Sequence, residues 1–313
     1  MYLGLESGET VNRRAFVKAG AAAFGAAITI PGAGTGMYVS LNGSLTGGKV
    51  GWPEFARLAA RTGFGGVDVN LAAAMKEGLE ATRALFGELK IKPSNVNLPV
   101  IFSRDELAFQ TSLKKLDEAA AFCAAIQCPT MLGILPPASQ TPKTELWRII
   151  QERLSAISEI LLRSRLRLGL EFLGPLHFRT AQPHEFIWRM DEALEFSKEC
   201  GPNVGLLLDV WHWHHAGATT ADIVAAGSAR IFHVHLSDCP NLPPDQVRDN
   251  QRALPGEGVI DLVGFFQALK KIGYHDGVSP EPIGRIPKEM SAEEGARLGL
   301  ETALTVMRKA GVV

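Results

Sequence analysis

The sequence predicts an α/β fold, a closed (β/α)8 TIM barrel, and three observations carry that reading. From residue 36 to the C-terminus, short apolar runs of β type alternate with longer segments of helical period. The alternation repeats eight times within a span close to the roughly 250 residues that a closed barrel takes. The turn after the first apolar run, Asn42-Gly43-Ser44-Leu45-Thr46-Gly47-Gly48, lacks the G-x-G-x-x-G pattern of an open, doubly wound sheet.

Taken in order, the apolar run 37–41 precedes a helical segment at 53–62, and 66–71 precedes 75–89. The run 95–101 leads into a long helix at 105–126, where Leu107, Phe109, Leu113, Leu116 and Ala120 fall near helical spacing. The pairs 130–135 with 144–162, 166–173 with 184–200, and 204–211 with 220–226 follow. Residues 230–237 lead through a loop to 261–272, and 277–283 is the last strand, before the last helix at 292–310.

Residues 1–35 read differently from the barrel, residues 36–313. Arg13-Arg14-Ala15-Phe16-Val17-Lys18 precedes the small apolar run from Ala19 to Ile30, a pattern that resembles a twin-arginine export signal. The apolar run is shorter than the ~20 residues needed to cross a bilayer. A periplasmic protein with no stable membrane span after signal removal is therefore expected, and an ordinary N-terminal helix is the alternative.

Composition excludes several function classes. With 46% hydrophobic and 21% charged residues in 313, the chain can build a large core, and a net charge of −1 with interspersed signs offers no basic face to nucleic acid. Cys123, Cys128, Cys200 and Cys239 show no zinc-ribbon spacing, and buried free thiols are expected, with a disulfide after export as the alternative.

In such a barrel the catalytic side chains come from the carboxyl ends of the strands. Four consecutive strands finish on metal-ligand residues, namely Glu171, Asp209, His235 and Glu281, and the steps between them are each close to one strand-helix unit. Three carboxylates and an imidazole suit one divalent ion, with Mn2+, Mg2+ and Co2+ ahead of Zn2+. A cation would also remove the cost of burying carboxylates at the ends of apolar strands.

A second cluster, Trp211-His212-Trp213-His214-His215, leaves the Asp209 strand. His212 is placed to hydrogen-bond a substrate oxygen, and Trp211 and Trp213 to form an apolar wall for a sugar ring. His214 and His215 read as capping or solvent-facing residues, and His233 as a packed histidine one layer below His235. His177 and Arg179, in the loop after Glu171, are weaker candidates for a hydroxyl or carboxylate of the substrate. Glu257 is expected to pair with Arg252 or to shape its own turn, and Asp68 and Asn97 point to the same rim.

The motifs Leu170-Glu171-Phe172-Leu173-Gly174, Asp209-x-x-His212-x-His214-x-x-Gly217, His233-Val234-His235-Leu236-Ser237-Asp238, Arg252-x-Leu254-Pro255-Gly256-Glu257-Gly258-x-Ile260-Asp261 and Ser279-Pro280-Glu281-Pro282 carry a resemblance. Together they resemble the xylose-isomerase-like sugar isomerase and epimerase superfamily, nearest the inosose isomerase and ketose 3-epimerase type. The resemblance implies that Glu171, Asp209, His235 and Glu281 hold the metal, that Glu171 and Glu281 form the acid/base pair, and that His212 binds substrate. Where those epimerases have an arginine six residues after the metal histidine, this chain has Asn241, and Arg252 is the expected substitute.

A carbon-bound proton between a carbonyl and a hydroxyl becomes acidic when a cation holds both oxygens as an enediolate forms. One glutamate would remove it and the other return it, giving epimerisation, aldose-ketose isomerisation or, with loss of a β-hydroxyl, dehydration. The expected activity is isomerase or epimerase on an unphosphorylated sugar, keto-sugar or inosose. The alternatives are a metal-dependent lyase on oxidised glycosides or cyclitols and a non-catalytic carbohydrate-binding barrel. An abasic-DNA endonuclease fits poorly, since the strands before Glu171 end in Asn42, Asp68, Asn97 and Pro136 rather than histidine. Self-association is left open.

Overall fold

A computed structural model describes residues 36–313; the expected export signal lies outside them. Eight parallel strands close into a barrel, as the alternation predicts. The chain runs through β1 (Tyr38–Leu41), α1 (Glu54–Thr62), β2 (Gly66–Val69), α2 (Leu71–Glu77), α3 (Leu79–Leu89) and β3 (Lys92–Asn97). It continues through α4 (Glu106–Leu113), α5 (Leu116–Ala125), β4 (Thr130–Ile134), β5 (Ala138–Ser139), α6 (Lys143–Arg163), β6 (Arg167–Glu171), α7 (Leu176–Arg179) and β7 (His184–Glu185). Then come α8 (Met190–Cys200), β8 (Val204–Asp209), α9 (Val210–His215), α10 (Thr220–Ala226), β9 (Ile231–Leu236), α11 (Leu262–Lys271), β10 (Gly277–Pro280) and α12 (Ala292–Lys309).

Around the barrel the order is β1, β10, β9, β8, β6, β4, β3, β2, and every neighbouring pair is parallel. The apolar core fills the layer between strands and helices, where Leu168, Leu206, Val234 and Val278 are fully buried. Parallel strands buried on both faces explain why the strands read as near-continuous apolar runs. Gly169 marks how tightly β6 is packed, because a Cβ there would lie 2.9 Å from Leu132 Cδ2 and 3.2 Å from Leu207 N.

Several expected elements differ, among them the strand expected at 95–101, which lies at Lys92–Asn97. The segment 75–89 divides at Gly78, whose φ of 94° ends α2 and opens α3. The long helix at 105–126 is two helices; the Ser112 hydroxyl returns to the Ala108 carbonyl at 2.8 Å and also accepts from Ile101 N, which competes with the helical ladder. The helix expected from 184 begins at Met190, because β7 pairs antiparallel with β5 in a small ribbon beyond β4 and β6. The strand expected to reach Trp211 stops at Asp209, whose carboxylate accepts from Trp211 N and caps α9.

All four cysteines are free and buried, so the disulfide alternative is corrected. Among the described residues no helix is long and apolar enough to cross a membrane.

The long connection after β9 is held by one fully buried carboxylate. Asp238 accepts from the backbone N–H groups of Cys239, Gly256, Gly258 and Ile260 at 2.9–3.1 Å, and its own backbone pairs with Ala253. Gly258 is required by the close approach, since a Cβ there would meet Cys239 O at 2.2 Å. Asp238→Ala is expected to lower stability by about 2–4 kcal/mol as these donors lose their acceptor. An unchanged midpoint in urea denaturation would contradict this role.

Candidate metal centre

The parallel register brings four strand ends side by side. Glu171 ends β6, Asp209 ends β8, His235 lies opposite both Asp209 and Ser279 on its neighbours, and Glu281 extends β10 by donating its N–H to Leu236 O at 2.8 Å. One ligand atom from each of the four lies within 4.8 Å of the others. The sequence-predicted quartet is therefore a single cluster in space.

His235 Nδ1 lies 3.5 Å from Glu171 Oε1 and 3.2 Å from Glu281 Oε2. Neither Glu171 Oε1 nor His235 Nδ1 has a hydrogen-bond partner, although both atoms are buried. Buried polar atoms are ordinarily satisfied, and a divalent cation among these oxygens and this nitrogen would satisfy both. The donor set and the convergence of its atoms fit such an ion.

Arg252 completes the cluster from the connection that Asp238 holds. Its Nη1 donates to Asp209 Oδ2 at 2.7 Å and to Glu281 Oε2 at 3.2 Å, while Asp249 Oδ1 takes Nη2 at 2.7 Å. The guanidinium carbon lies 4.7 Å over the Trp211 ring, and Nη2 lies 3.3 Å from His212 Nε2. Arg252 was expected to contact substrate, but its donors are committed to the carboxylates of Asp209, Asp249 and Glu281.

These contacts divide the two glutamates electrostatically. Burial pushes the Glu171 carboxyl up to about 7, against the pull of His235, with Asp209 and Glu281 adding to the rise. For Glu281 burial also opposes charge, but His235 and Arg252 outweigh it and hold the carboxyl below its usual range. Burial likewise works against Asp209, and Arg252 overrides it, lowering that carboxyl to about 2. Burial opposes a charge on His235, yet Glu281 and Glu171 raise its pKa well above the ordinary value. Burial drives His212 the other way, to about 3, so its imidazole is neutral at pH 7.

Below His235 lies a hydrogen-bonded floor. The Ser279 hydroxyl is 2.8 Å from both His233 Nε2 and Asp68 Oδ1, and Asn95 Nδ2 is 3.0 Å from His233 Nε2 and 2.8 Å from Asp68 Oδ1. Ser40 and Asn42 bring two further donors to Asp68, at 2.8 and 2.9 Å. Asp68, His233 and His235 also converge closely enough to hold an ion, but the hydrogen bonds already engage Asp68 and His233. His233 is the packed histidine expected from its spacing.

A cavity of about 1160 Å³ opens over this floor, lined by His235 and Glu281 together with Asn42, Asp68, Asn95 and Asn97. Asp68 and Asn97 face it as expected; Asn70, Asn95 and Trp52 also line it and were not singled out in the sequence. The signal available for Asn95 was a strand of mostly polar residues, Lys92 to Asn97, where the other barrel strands are mostly apolar. The other expected substrate residues stand elsewhere. Trp211 is fully buried and Trp213 nearly so, packed 5.2 Å from Phe265, which corrects the expected sugar-facing wall. Both tryptophans are on α9, whose turn points them into the protein instead of along a loop.

His212, buried at 2% exposure, lies on the Arg252 side of the quartet and keeps an unpartnered Nδ1. His177 stacks on Phe178 at 4.2 Å and Arg179 sits 3.8 Å over Trp188, so neither lines the cavity. Glu257 pairs with Arg285 at 3.0 Å, not with Arg252. His214 and His215 fall in the last turn of α9, half-buried, and the next helix is capped by Thr219 instead, which corrects the expected capping or solvent-facing places.

Comparison with known proteins places this geometry among relatives. Residues 56–304 match the family described as xylose isomerase-like TIM barrel. An inosose isomerase from Halalkalibacterium halodurans is 28% identical over 234 residues, 74% of this chain and 80% of the relative. A xylose isomerase domain protein from Alicyclobacillus acidocaldarius superposes with a TM-score of 0.81 at 28% identity, covering 88% of this chain and 99% of that one. The IOLI protein, crystallised with a zinc atom, gives a TM-score of 0.76 at 24% identity over 88% of this chain and 99% of its own, a likeness of fold. With its match running from α1 into α12, the chain belongs to the xylose isomerase-like TIM barrel family.

Proposed function

We propose that the protein is a divalent-metal-dependent isomerase or epimerase that moves a proton next to the carbonyl of an unphosphorylated sugar, keto-sugar or inosose. The observation that carries this is the convergence of Glu171, Asp209, His235 and Glu281 at four neighbouring strand ends, with the two glutamates on either side of His235. The inosose isomerase and the zinc-containing IOLI protein among its relatives support the same reading. A cation held by the quartet would supply Lewis-acid polarisation of a substrate carbonyl.

The protein's own groups account for the rest. Glu171 and Glu281, which flank His235, are the pair suited to take the proton and to return it, one glutamate serving each step. Arg252 fixes the carboxylates of Asp209 and Glu281, and neutral His212 offers a ring nitrogen beside them. Asn97 and the Asp68 Oδ2 oxygen, which among the described residues accepts only from Asn42, present hydrogen-bonding groups to ring hydroxyls from the cavity floor, and Asn95 holds Asp68 in place.

An unphosphorylated substrate follows from charge. Among the described lining residues Lys115 is the one lysine or arginine, set against the carboxylates of Asp68, Asp105, Glu118 and Glu281. Export of this activity is likewise proposed, on the Arg13-Arg14 pattern alone.

Incubated with Mn2+ in heavy water, the protein is expected to incorporate deuterium next to the carbonyl of a substrate within a panel of ketoses, inososes and 3-keto-glycosides, and EDTA to stop it. Exchange that survives EDTA, or none with metal bound, contradicts the proposal. Glu281→Gln should reduce turnover by at least about 100-fold while the circular dichroism spectrum is unchanged; full activity would remove the acid/base assignment.

Metal affinity is expected to fall with pH. An ion must displace the protons that Glu171, with its pKa near 7, and His235, with its raised pKa, retain as the solution becomes more acidic. Titration calorimetry should show Mn2+ binding weakening by about tenfold or more per pH unit below ~7, and a flat profile between pH 5.5 and 8 would exclude proton displacement at these ligands.

A further inference from the structure

The cavity that reaches His235 and Glu281 is larger than a free sugar requires and divides into two unlike halves. Cavities of about 300–1,000 Å³ enclose drug-sized ligands, and a free hexose or cyclitol is much smaller than those. This one measures about 1160 Å³.

At the barrel mouth its lining is largely polar, on the strands and strand ends that carry Asn42, Asp68, Asn95 and Asn97, while Asp105, Thr111, Ser112, Lys115 and Glu118 line it from the helical side. Its apolar lining lies farther out, on connections and helices: Trp52 after β1, Phe55 on α1, Met75 on α2, and Leu98 and Ile101 after β3. Leu107 on α4 completes that outer half. Ile101 is 43% exposed and Leu107 77% exposed, so large apolar side chains stand open to water at the outer half of a cavity whose inner end meets the candidate metal ligands. Isolated exposed apolar residues need no explanation, but large apolar residues lining one cleft alongside a few polar groups are the usual form of a ligand-binding surface.

We propose that the substrate is a conjugate, a keto-sugar or inosose ring bearing an aromatic or aliphatic substituent, with the ring over the polar floor and the substituent against the outer wall. This rests on the isomerase reading given above and specifies its substrate class. The ring brings hydroxyls to Asp68 and Asn97, next to Glu281. The substituent covers Trp52, Met75, Ile101 and Leu107, and removing that apolar surface from water favours the conjugate over a free ring. The few charged groups on the outer lining, Asp105, Lys115 and Glu118, balance to one net negative charge and give no site for an anionic substituent such as phosphate.

The test uses the full chain loaded with Mn2+ and matched methyl and phenyl glycosides of one 3-keto-sugar, with a free inosose alongside. Deuterium incorporation next to the carbonyl gives kcat/KM for each. The phenyl glycoside is expected to exceed the methyl glycoside by about 10–100-fold, mainly through KM. Ile101→Ser and Leu107→Ser, at exposed positions that leave the fold intact, should each reduce that ratio several-fold, and Trp52→Ala should reduce it further. Because the readout is a ratio within one protein sample, partial unfolding of a variant cancels.

Equal kcat/KM for the two glycosides, with exchange still occurring, overturns this inference and leaves the isomerase reading standing. A phenyl preference that all three variants retain also overturns it, since the preference would then arise elsewhere. Exchange on none of the compounds, with Mn2+ bound, removes the isomerase reading and this inference with it.

Discussion

Three carboxylates share one buried rim of the barrel, and the surrounding structure is arranged around the cost of keeping them there. Like charges in a low-dielectric site repel and lose their hydration, and each must be offset by a partner. Arg252 serves Asp209 and Glu281, and His235 stands between Glu171 and Glu281. Glu171 remains the least compensated, which is why its proton affinity lies near neutrality and why an oxygen of its carboxylate is left without a partner. A site with one under-compensated carboxylate beside an unsatisfied imidazole nitrogen is poised for a cation.

The demand propagates outward. Arg252 has to arrive from a long connection, and that connection is ordered by Asp238, whose carboxylate gathers four backbone N–H groups into one turn. Gly258 allows the approach, and Trp211 on α9 supplies a flat face under the guanidinium. The aromatic cluster after Asp209 thus supports the site from behind, and the cavity opens on the opposite side, across β1 to β3. There Asp68 ties β1, β2, β3 and β10 through shared hydrogen bonds, giving a rigid polar floor on which a ring can be oriented.

Much of this was legible in the sequence. Strand alternation fixed the barrel because apolar period and turn residues are local properties, and carboxylates or histidine closing otherwise apolar strands are costly enough to stand out as functional. Glu171, Asp209, His235 and Glu281 therefore stand out in the sequence as candidate ligands, and the spacing of His233 places it one layer down. Helix boundaries were less legible, because a residue such as Ser112 or Gly78 breaks a periodic segment without disturbing its pattern.

What only the tertiary structure decided is which way the side chains beyond the strand ends face. Trp211 reads as a sugar platform, yet the cap that Asp209 places on α9 turns it inward, and Arg252 reads as a substrate ligand, yet its fork closes on two carboxylates from other strands. Asn95 and Trp52 join the cavity only because barrel closure pairs β1 with β10 and sets β3 across the barrel from β9, with Asn95 3.0 Å from His233. The sequence by itself determined the architecture and which four strand ends carry the candidate ligands, since strand period and terminal residue type act over a few neighbours. The partners, the open side of the cavity and its apolar outer wall were settled by contacts between residues far apart in the chain, whose geometry no local pattern encodes.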